Sequence, residues 1–462
     1  MASVVLSQPE PRTKLAGARS PFSGVIATRA AVKWPIRYAL YAFVFSLPFE
    51  ESGFGIGLTL PKLFGLCLAA FCLVQPRACY KPPAKAFWCF AAYALACMAS
   101  ALYLVLTPPQ DPELLLGLRS TVFRLVQLLV LFCITYNLMK HEQIVKGVLW
   151  TLVAATIVLA VMQLLGITSN VSEHGRVTAF ETNPNGVAAV LSLGLLALFG
   201  LAYGREKKNW KARLLFWLTS AVLAIPIVET GSRGAVVALT AGLAIFFLRG
   251  KDLATKIKFG AIGLFGIMIL AVASYSIEPI RARWEQAIYD QNVAGRDRIF
   301  SHAINMIREK PLTGWGPIVH NWELGSRLGL ATRDEHNVYL WVLAEVGILG
   351  AMPFFAGLWL CWRAAWKARR TIQGILPAVM LLFVLVSSLS ASLTNRKYYW
   401  LILSFAAASA TYPAARRPLR PGVLSRRAFG PGLFRQGHFD SRGAPPRLRQ
   451  DPGGASRPGF TR

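Results

Sequence analysis

The turn Glu229–Gly234 places one arginine and small polar residues between two long apolar blocks. The connection is too short for a free loop, so Arg233 is held at or just within a membrane interface. Thr230, Ser232 and two glycines let backbone amides approach a ligand, and the next helix directs its positive N-terminus there. An arginine beside a helix N-terminus indicates a pyrophosphate site. A tight turn with a snorkelling arginine is the structural alternative.

A second polar stretch, Gly295–Gly316, carries Arg296 and Arg298 at the start of a predicted amphipathic helix that Pro311 ends. Two arginines at a helix N-terminus oppose the helix dipole, so a stabilising role does not explain them. An anionic ligand resolves this conflict. The apolar positions at helical spacing are Ile299, Phe300, Ala303, Ile304 and Ile307.

His336 and Asn337 open a helix that continues into another apolar block. A single histidine is more often structural than functional. Here the histidine lies at an interface on the same predicted side as the arginines, which favours function. Further along the same helix, Gly347 and Gly350 predict close helix packing.

A third stretch runs from Gly175 into an apolar block and contains Arg176 and Glu181. Asn183–Gly186 within it predicts a turn and a helix start, because asparagine caps a helix and proline presets its backbone. That structural explanation leaves Arg176 and Glu181 unexplained, since both lie at the predicted outer membrane face.

The elements that must position these residues are apolar blocks of about 16 to 22 residues, long enough to cross a bilayer as helices. The chain has 462 residues, of which 54% are hydrophobic. We predict an all-α polytopic integral membrane protein with about 12 transmembrane helices and a large periplasmic loop between helices 9 and 10. The predicted spans are 38–50, 54–74, 86–106, 120–138, 147–165, 186–203, 214–229, 235–249, 259–276, 343–362, 375–392 and 398–412.

Lysine and arginine are concentrated in five connections on one side of these spans, and both termini join that side. We therefore place that side in the cytoplasm and the long loop, about 277–342, in the periplasm. The predicted regions are a cytoplasmic segment 1–33 without a signal peptide, a membrane domain 34–412, and a basic, disordered cytoplasmic tail 413–462.

The net charge of +28 does not indicate nucleic acid, because the basic residues lie between apolar blocks as topology signals do. The seven cysteines show neither a disulfide framework nor metal-ligand spacing. Lys62 and Arg124, within or near spans, are interpreted as snorkelling or helix-pairing residues without a chemical role.

The four polar stretches together resemble the O-antigen ligase family, which includes O-antigen ligases and polysaccharide polymerases. With the span pattern, the resemblance covers the chain up to about residue 412, and Phe300 departs from it where the family often has tryptophan. The residues that carry it are Gly175 to Asn185, Thr230 to Gly234, Gly295 to Gly316, and His336, Asn337, Gly347 and Gly350.

This resemblance implies a glycosyltransferase that needs neither metal nor cofactor and whose donor is a glycan on undecaprenyl pyrophosphate. It implies that His336 is the catalytic base of an inverting displacement, unless His336 only orients or binds substrate. The implied pyrophosphate ligands are Arg176, Arg233, Arg296 and Arg298, with Asn337, Glu181 and Ser232 in supporting roles.

The acceptor implied by a ligase is lipid A-core, and the site then faces the periplasm from the bacterial inner membrane. A polymerase that extends a growing glycan on the same lipid carrier remains the alternative, because its chemistry and motifs are nearly shared. A transporter is disfavoured, since its polar residues would lie near the middle of the membrane and not at one face. Membrane lipids are expected partners, and nucleic acid is not.

Overall fold

In a computed structural model of the chain, the described residues are 32–50, 59–81, 83–107, 111–167, 169–171, 176–180, 183–202, 209–247, 275, 281–282, 285 and 295–413. Three sequence predictions fall wholly or almost wholly outside these residues: the span 259–276, the N-terminal segment and the basic tail. Glu181 also lies outside them.

The described part of the chain is almost entirely helical, with one antiparallel two-stranded hairpin. The helices are α1 (Trp34–Ser46), α2 (Leu60–Leu73), α3 (Pro76–Cys79), α4 (Lys85–Leu106), α5 (Pro112–Leu138), α6 (Glu142–Leu164), α7 (Pro184–Ala202), α8 (Trp210–Glu229), α9 (Arg233–Phe247), α10 (Arg296–Glu309), α11 (Val319–Arg327), α12 (Val338–Ala368), α13 (Leu376–Ser387) and α14 (Lys397–Ser409). A short 3-10 turn, Leu47–Phe49, follows α1, and the strands are β1 (Ser169–Val171) and β2 (Val177–Ala179).

Each predicted span apart from 259–276 overlaps a described helix. Among the described residues, six helices are long and apolar enough to cross a bilayer: α4, α5, α6, α7, α8 and α12. The helices α2, α9 and α13 are also apolar but are shorter, with 10–17 residues. The architecture agrees with an all-α membrane protein, and the count of twelve crossings stays a prediction.

The helix starts follow from local capping. The Asp111 side chain accepts a hydrogen bond from the Glu113 amide at 2.8 Å, directly before Pro112 at the start of α5. The Asn183 side chain accepts one from the Asn185 amide at 2.9 Å, and α7 begins at Pro184. The helix start predicted at Asn183–Gly186 is therefore confirmed.

The core is built where helices approach closely around aromatic rings. Phe90 of α4 packs edge-on against Phe354 of α12 and Trp400 of α14. A Cβ at Gly357 of α12 would lie 2.6 Å from the Phe90 ring, so only glycine allows α4 and α12 this contact. In a bilayer, close packing of this kind replaces the hydrophobic driving force between helices.

The helix α10 confirms the predicted amphipathic element and ends before Pro311. Its buried face differs in part from the prediction: Ile299, Ala303 and Met306 are buried, whereas Ile304 is 40% exposed. The buried positions are four and three residues apart and therefore form one stripe along the helix.

The helix α12 is broken at Gly347, whose φ of 62° and ψ of −170° are not helical. At the break, the segment Pro311–Gly316 forms hydrogen bonds with backbone groups of α12. The Trp315 and Gly316 amides each donate at 2.8 Å to the carbonyls of Ala344 and Glu345, and the Ile348 amide donates at 2.8 Å to Pro311.

Gly347 and Gly350, the two glycines of α12 that the sequence singled out, therefore have different roles. Gly350 faces α4, where its Cβ would lie 3.1 Å from the Ala96 Cβ, which fits the predicted helix packing. Gly347 instead lets the polar loop enter the helix. This docking fixes the loop that carries α10 against the helix that begins beside His336.

Candidate active site

His336 lies in the segment 333–337, which connects α11 to the start of α12. Its φ of 51° is left-handed, a conformation that costs a residue with a side chain roughly 1–2 kcal/mol. The Asp334 carboxylate Oδ1 accepts a hydrogen bond from the His336 amide at 2.6 Å and lies 3.9 Å from the His336 Nδ1. The imidazole is 28% exposed and thus accessible to a substrate.

The pKa of His336 is lowered from its ordinary value. Burial is the main cause, and the positive charges of Arg333 and Arg296 act in the same direction, while Asp334 and Glu335 oppose them. The neutral imidazole, which is the form that can accept a proton, is therefore favoured near neutral pH.

Asn337 fixes the start of α12. Its side-chain oxygen accepts hydrogen bonds from the amides of Tyr339 at 2.9 Å and Leu340 at 3.2 Å, so it is the helix cap. The Val338 amide donates to the Ser388 carbonyl at 2.9 Å, which ties this helix start to the connection between α13 and α14. Asn337 therefore fixes the helix start directly after the histidine, and its supporting role in the site stays a prediction.

Arg176 lies immediately before β2 and joins two other elements. Its Nε donates to the Thr230 carbonyl at 2.8 Å, and its Nη2 donates to the Asn185 Oδ1 at 2.9 Å. The hydroxyl of Ser232, which is buried, donates to the same Asn185 oxygen at 2.9 Å. The arginine thus fixes the turn before α9 against the start of α7.

Arg233 is the first residue of α9 and is half-buried. The next residue, Gly234, faces Ser390, because a Cβ at Gly234 would lie 2.1 Å from the Ser390 Oγ. Arg296, at the start of α10, donates from its Nη2 to the Ser390 carbonyl at 3.0 Å. Two of the predicted arginine stretches therefore meet at one residue of the α13–α14 connection.

Arg296 and Arg298, the two arginines in the first turn of α10, differ in exposure. Arg296 is half-buried and reaches the connection, whereas Arg298 is exposed. Of the predicted site residues, His336, Asn337, Arg233 and Arg296 are thus gathered around residues 388–392, with Arg176 and Ser232 behind Arg233. The position of Arg298 supports a peripheral role.

The connection 388–396 is the element of the candidate site that the sequence prediction missed. The predicted span 375–392 included its first half, but α13 ends at Ser387. Within it, the Ser392 hydroxyl donates a short hydrogen bond to the Asp334 carboxylate, and the Asn337 amide group donates to the Leu389 carbonyl at 3.4 Å. The serine-rich run Ser387–Ser392 was the available signal, since serine is weakly apolar and a hydropathy pattern absorbs it.

A cavity of about 800 Å³ adjoins this connection. Asp334, Ser392 and Asn395 are among its lining residues, and α2 and α5 supply most of its apolar ones. Lining residues on α5 extend from Ser120 to Ile134, which is about 21 Å of helix at 1.5 Å per residue. The cations in its wall are Lys62, Arg124, Arg396 and Lys397, and the anions are Glu50 and Asp334.

The charges around this cavity are partly compensated. Lys397 Nζ lies 2.6 Å from one oxygen of Glu50, and Arg396 lies 3.9 Å from the other. Four cations and two anions leave the wall with a net positive charge. The described part of the chain holds no group of three or more His, Cys, Asp or Glu side chains that is placed to bind a metal ion.

Two comparisons with known proteins bear on this site. A family model described as O-antigen ligase matches residues 218–355, which include Arg233, Arg296 and His336. A protein of Pseudomonas aeruginosa named O-antigen ligase is 26% identical over 278 residues. That alignment covers 60% of this chain, and the chain spans 66% of the length of this curated relative.

Proposed function

We propose that this multi-pass bacterial membrane protein transfers a glycan from undecaprenyl pyrophosphate to an acceptor hydroxyl. The premise of the proposal is that both comparisons support the O-antigen ligase family. The acceptor is lipid A-core, and the reaction takes place at the periplasmic face of the inner membrane. The observation that carries the proposal is the meeting of Arg296, the first turn of α9 and two neighbours of His336, Asp334 and Asn337, at the connection 388–396.

His336 is the base of a direct displacement. Its neutral imidazole takes the proton of the acceptor hydroxyl, and the acceptor oxygen forms a bond to the anomeric carbon. The bond from that carbon to the pyrophosphate oxygen breaks, and its electron pair leaves with the pyrophosphate. A single displacement inverts the anomeric configuration.

Arg233 and Arg296 stabilise the pyrophosphate as its charge increases, which guanidinium groups do by paired hydrogen bonds. Arg176 supports them by holding Thr230 and Asn185, and through them the turn before α9. These cations take the role that a divalent ion has in many other transferases, so the reaction is proposed to be independent of metal.

The cavity beside Asp334 holds the lipid chain of the donor. In the donor, only a pyrophosphate separates the anomeric carbon from the prenyl chain, so the chain must begin close to His336. In the acceptor, a core oligosaccharide separates the hydroxyl from the acyl chains. The wall of the cavity includes Asp334, 3.9 Å from the imidazole of the base, together with many apolar residues and a net positive charge, so the cavity suits the donor.

A test uses the purified full-length protein in lipid nanodiscs with a lipid-linked glycan, lipid A-core and a chelator. We expect ligated product from the wild type and a loss of roughly 10²- to 10⁴-fold in His336→Ala, the range for a general base. Strict dependence on a divalent ion, or full activity of His336→Ala, would reject this mechanism. Replacing lipid A-core by a second lipid-linked glycan tests polymerisation, and a longer lipid-linked product there would identify a polymerase.

A further inference from the structure

Directly beside His336, the structure holds a buried pair that the proposed mechanism does not use. The Nδ1 of His320, on α11, lies 2.8 Å from the Glu335 Oε1, and both side chains are fully buried. Glu335 precedes His336 in the chain, and His320 is the second residue of α11. The pair therefore links α11 to the segment whose conformation sets the direction of the His336 imidazole.

The other contacts of His320 attach it to the start of α12. Its ring packs edge-on against Trp341, with a distance of 4.7 Å between the ring centroids. The Arg333 amide donates to the Asn321 carbonyl at 3.0 Å, which adds a backbone contact between α11 and the segment. The start of α11 thus contacts both the first residue of the segment 333–337 and the helix that follows the segment.

The charges around His320 favour an ion pair. Burial alone acts against the protonated imidazole, but the negative charges of Glu335, Glu345 and Asp334 outweigh it, and the pKa of His320 is raised. Burying an unpaired carboxylate is unfavourable in free energy. Pairing with His320 therefore stabilises the Glu335 side chain in this position.

The segment needs such an anchor because His336 has a left-handed backbone that a histidine does not adopt by preference. Such a conformation persists only where the surrounding contacts determine it. The contacts here are the Asp334 side chain on the His336 amide, the Asn337 cap after it, and the Glu335–His320 pair before it.

We propose that His320 and Glu335 are positioning residues, whose buried pair holds the segment 333–337 so that the His336 imidazole faces the reacting atoms. This inference rests on the proposed role of His336 as the base. Neither residue contacts substrate in this proposal, and both act through the backbone of His336.

The experiment measures kcat and the donor KM of purified variants, per amount of monodisperse protein. We expect His320→Ala to lower kcat roughly 10- to 100-fold, the effect of a misplacement of about 1 Å, while the donor KM stays within about twofold. His320→Gln, which keeps a hydrogen-bond donor for Glu335, should recover a large part of that kcat. Glu323→Gln is the matched control and should have wild-type kcat, because Glu323 is a half-buried residue of α11 that pairs with Arg327 and not with the segment 333–337.

A second variant covers the case in which His320→Ala does not fold. The charged groups that face His336 are Asp334, Arg333, Arg296 and Glu335, and the negative charge of Glu335 raises the pKa of His336. Glu335→Gln should therefore lower kcat and move the acidic limb of the pH profile to lower pH. A purely structural pair would reduce the yield of folded protein and leave kcat and the pH profile unchanged.

The results separate this inference from the proposed function. Wild-type kcat in folded His320→Ala, or an unmoved acidic limb together with wild-type kcat in Glu335→Gln, would overturn the positioning role. A rise of the donor KM as large as the expected fall of kcat would also overturn it, because that result indicates a role in substrate binding. Full activity of His336→Ala, measured in the same assay, would instead reject the proposed base.

Discussion

Arg233 is the first residue of α9, and its neighbour Gly234 faces Ser390, whose carbonyl accepts a hydrogen bond from Arg296. The prediction at this residue concerns geometry as well as charge. Arg233→Ala should reduce transfer by roughly 10²- to 10³-fold and weaken donor binding, the cost of removing one stabilising group from a developing anion. Arg233→Lys should recover little, because lysine supplies a point charge and no planar fork for phosphate oxygens.

His336→Ala separates binding from chemistry in the same measurements. If His336 is the base, this variant should lose transfer but still bind the donor, as measured with a labelled lipid-linked glycan. Arg308→Ala, an exposed arginine at the far end of α10, is the charge control and should retain wild-type transfer. Wild-type donor affinity in Arg233→Ala would contradict the role assigned to that arginine.

The different exposure of Arg296 and Arg298 leads to a second prediction. Arg296 is half-buried and bonded to the Ser390 carbonyl, whereas Arg298 is exposed two residues later on the same helix. Arg296→Ala should therefore reduce transfer at least tenfold more than Arg298→Ala, since a desolvated cation stabilises a nearby anion more strongly. Equal losses in parallel assays would show that Arg298 shares the ligand.

The lowered pKa of His336 predicts the pH dependence of the reaction. A base must be neutral, so kcat/KM should fall as the pH falls through the pKa of His336 in the free enzyme. Because that pKa lies below the ordinary histidine value of about 6.5, the midpoint of the fall should lie below pH 6.5. Arg333→Gln removes a charge that lowers this pKa, so its midpoint should move to higher pH.

At the scale of elements, the local signals for helix starts and stops were readable in the sequence, and the pairing of distant segments was not. Asn183–Pro184 and Pro311 mark their boundaries through capping and backbone chemistry alone. The left-handed backbone of His336 has no such signal, because histidine does not encode it. In our proposal it depends on the pairing of Glu335 with His320, which lies 15 residues earlier on α11.

The same reason explains the missed connection 388–396. Its importance comes from contacts with α9, α10 and the start of α12, none of which is near it in sequence. Lys62 and Arg124 were likewise interpreted singly as snorkelling residues. Their common position in one cavity wall becomes evident only when α2 and α5 are packed together.

The break in α12 gives the prediction at this scale. Gly347 has a φ of 62°, and a Cβ there would lie 2.4 Å from the backbone of Leu312. Gly347→Ala should therefore displace the loop Pro311–Gly316, lower the melting temperature and reduce transfer. Gly329→Ala is the matched control: its φ is 73°, but nothing lies within 4 Å of its Cβ, so it carries only the backbone cost of about 1 kcal/mol.

Fluorescence-detected thermal unfolding of the two purified variants measures this difference. Gly347→Ala should be the less stable variant by several degrees, because the clash is with backbone atoms that cannot rotate away. Equal melting temperatures would mean that the docking of the loop into α12 contributes little beyond the conformational preference of glycine.

At the scale of the whole molecule, the function requires that the elements of the site share one side of the membrane. Arg296 of α10 and Asn337 at the start of α12 contact the connection 388–396, and α11 contacts the segment 333–337 that precedes α12, so these elements form a single layer. Three basic residues lie at the opposite end of that helix: Lys367 in its last turn, and Arg369 and Arg370 directly after it. One long helix thus separates the candidate site from a strongly basic surface.

The distribution of lysine and arginine predicts that the site layer is periplasmic, because basic connections stay in the cytoplasm. In a variant without native cysteines, Ser326→Cys on α11 should react with an impermeant maleimide in intact spheroplasts. Ile372→Cys, which is 44% exposed after α12, should react only after permeabilisation. The reverse pattern would place the site in the cytoplasm, where a periplasmic acceptor has no access. Because the two positions flank α12, labelling of both from outside would instead contradict α12 as a single crossing.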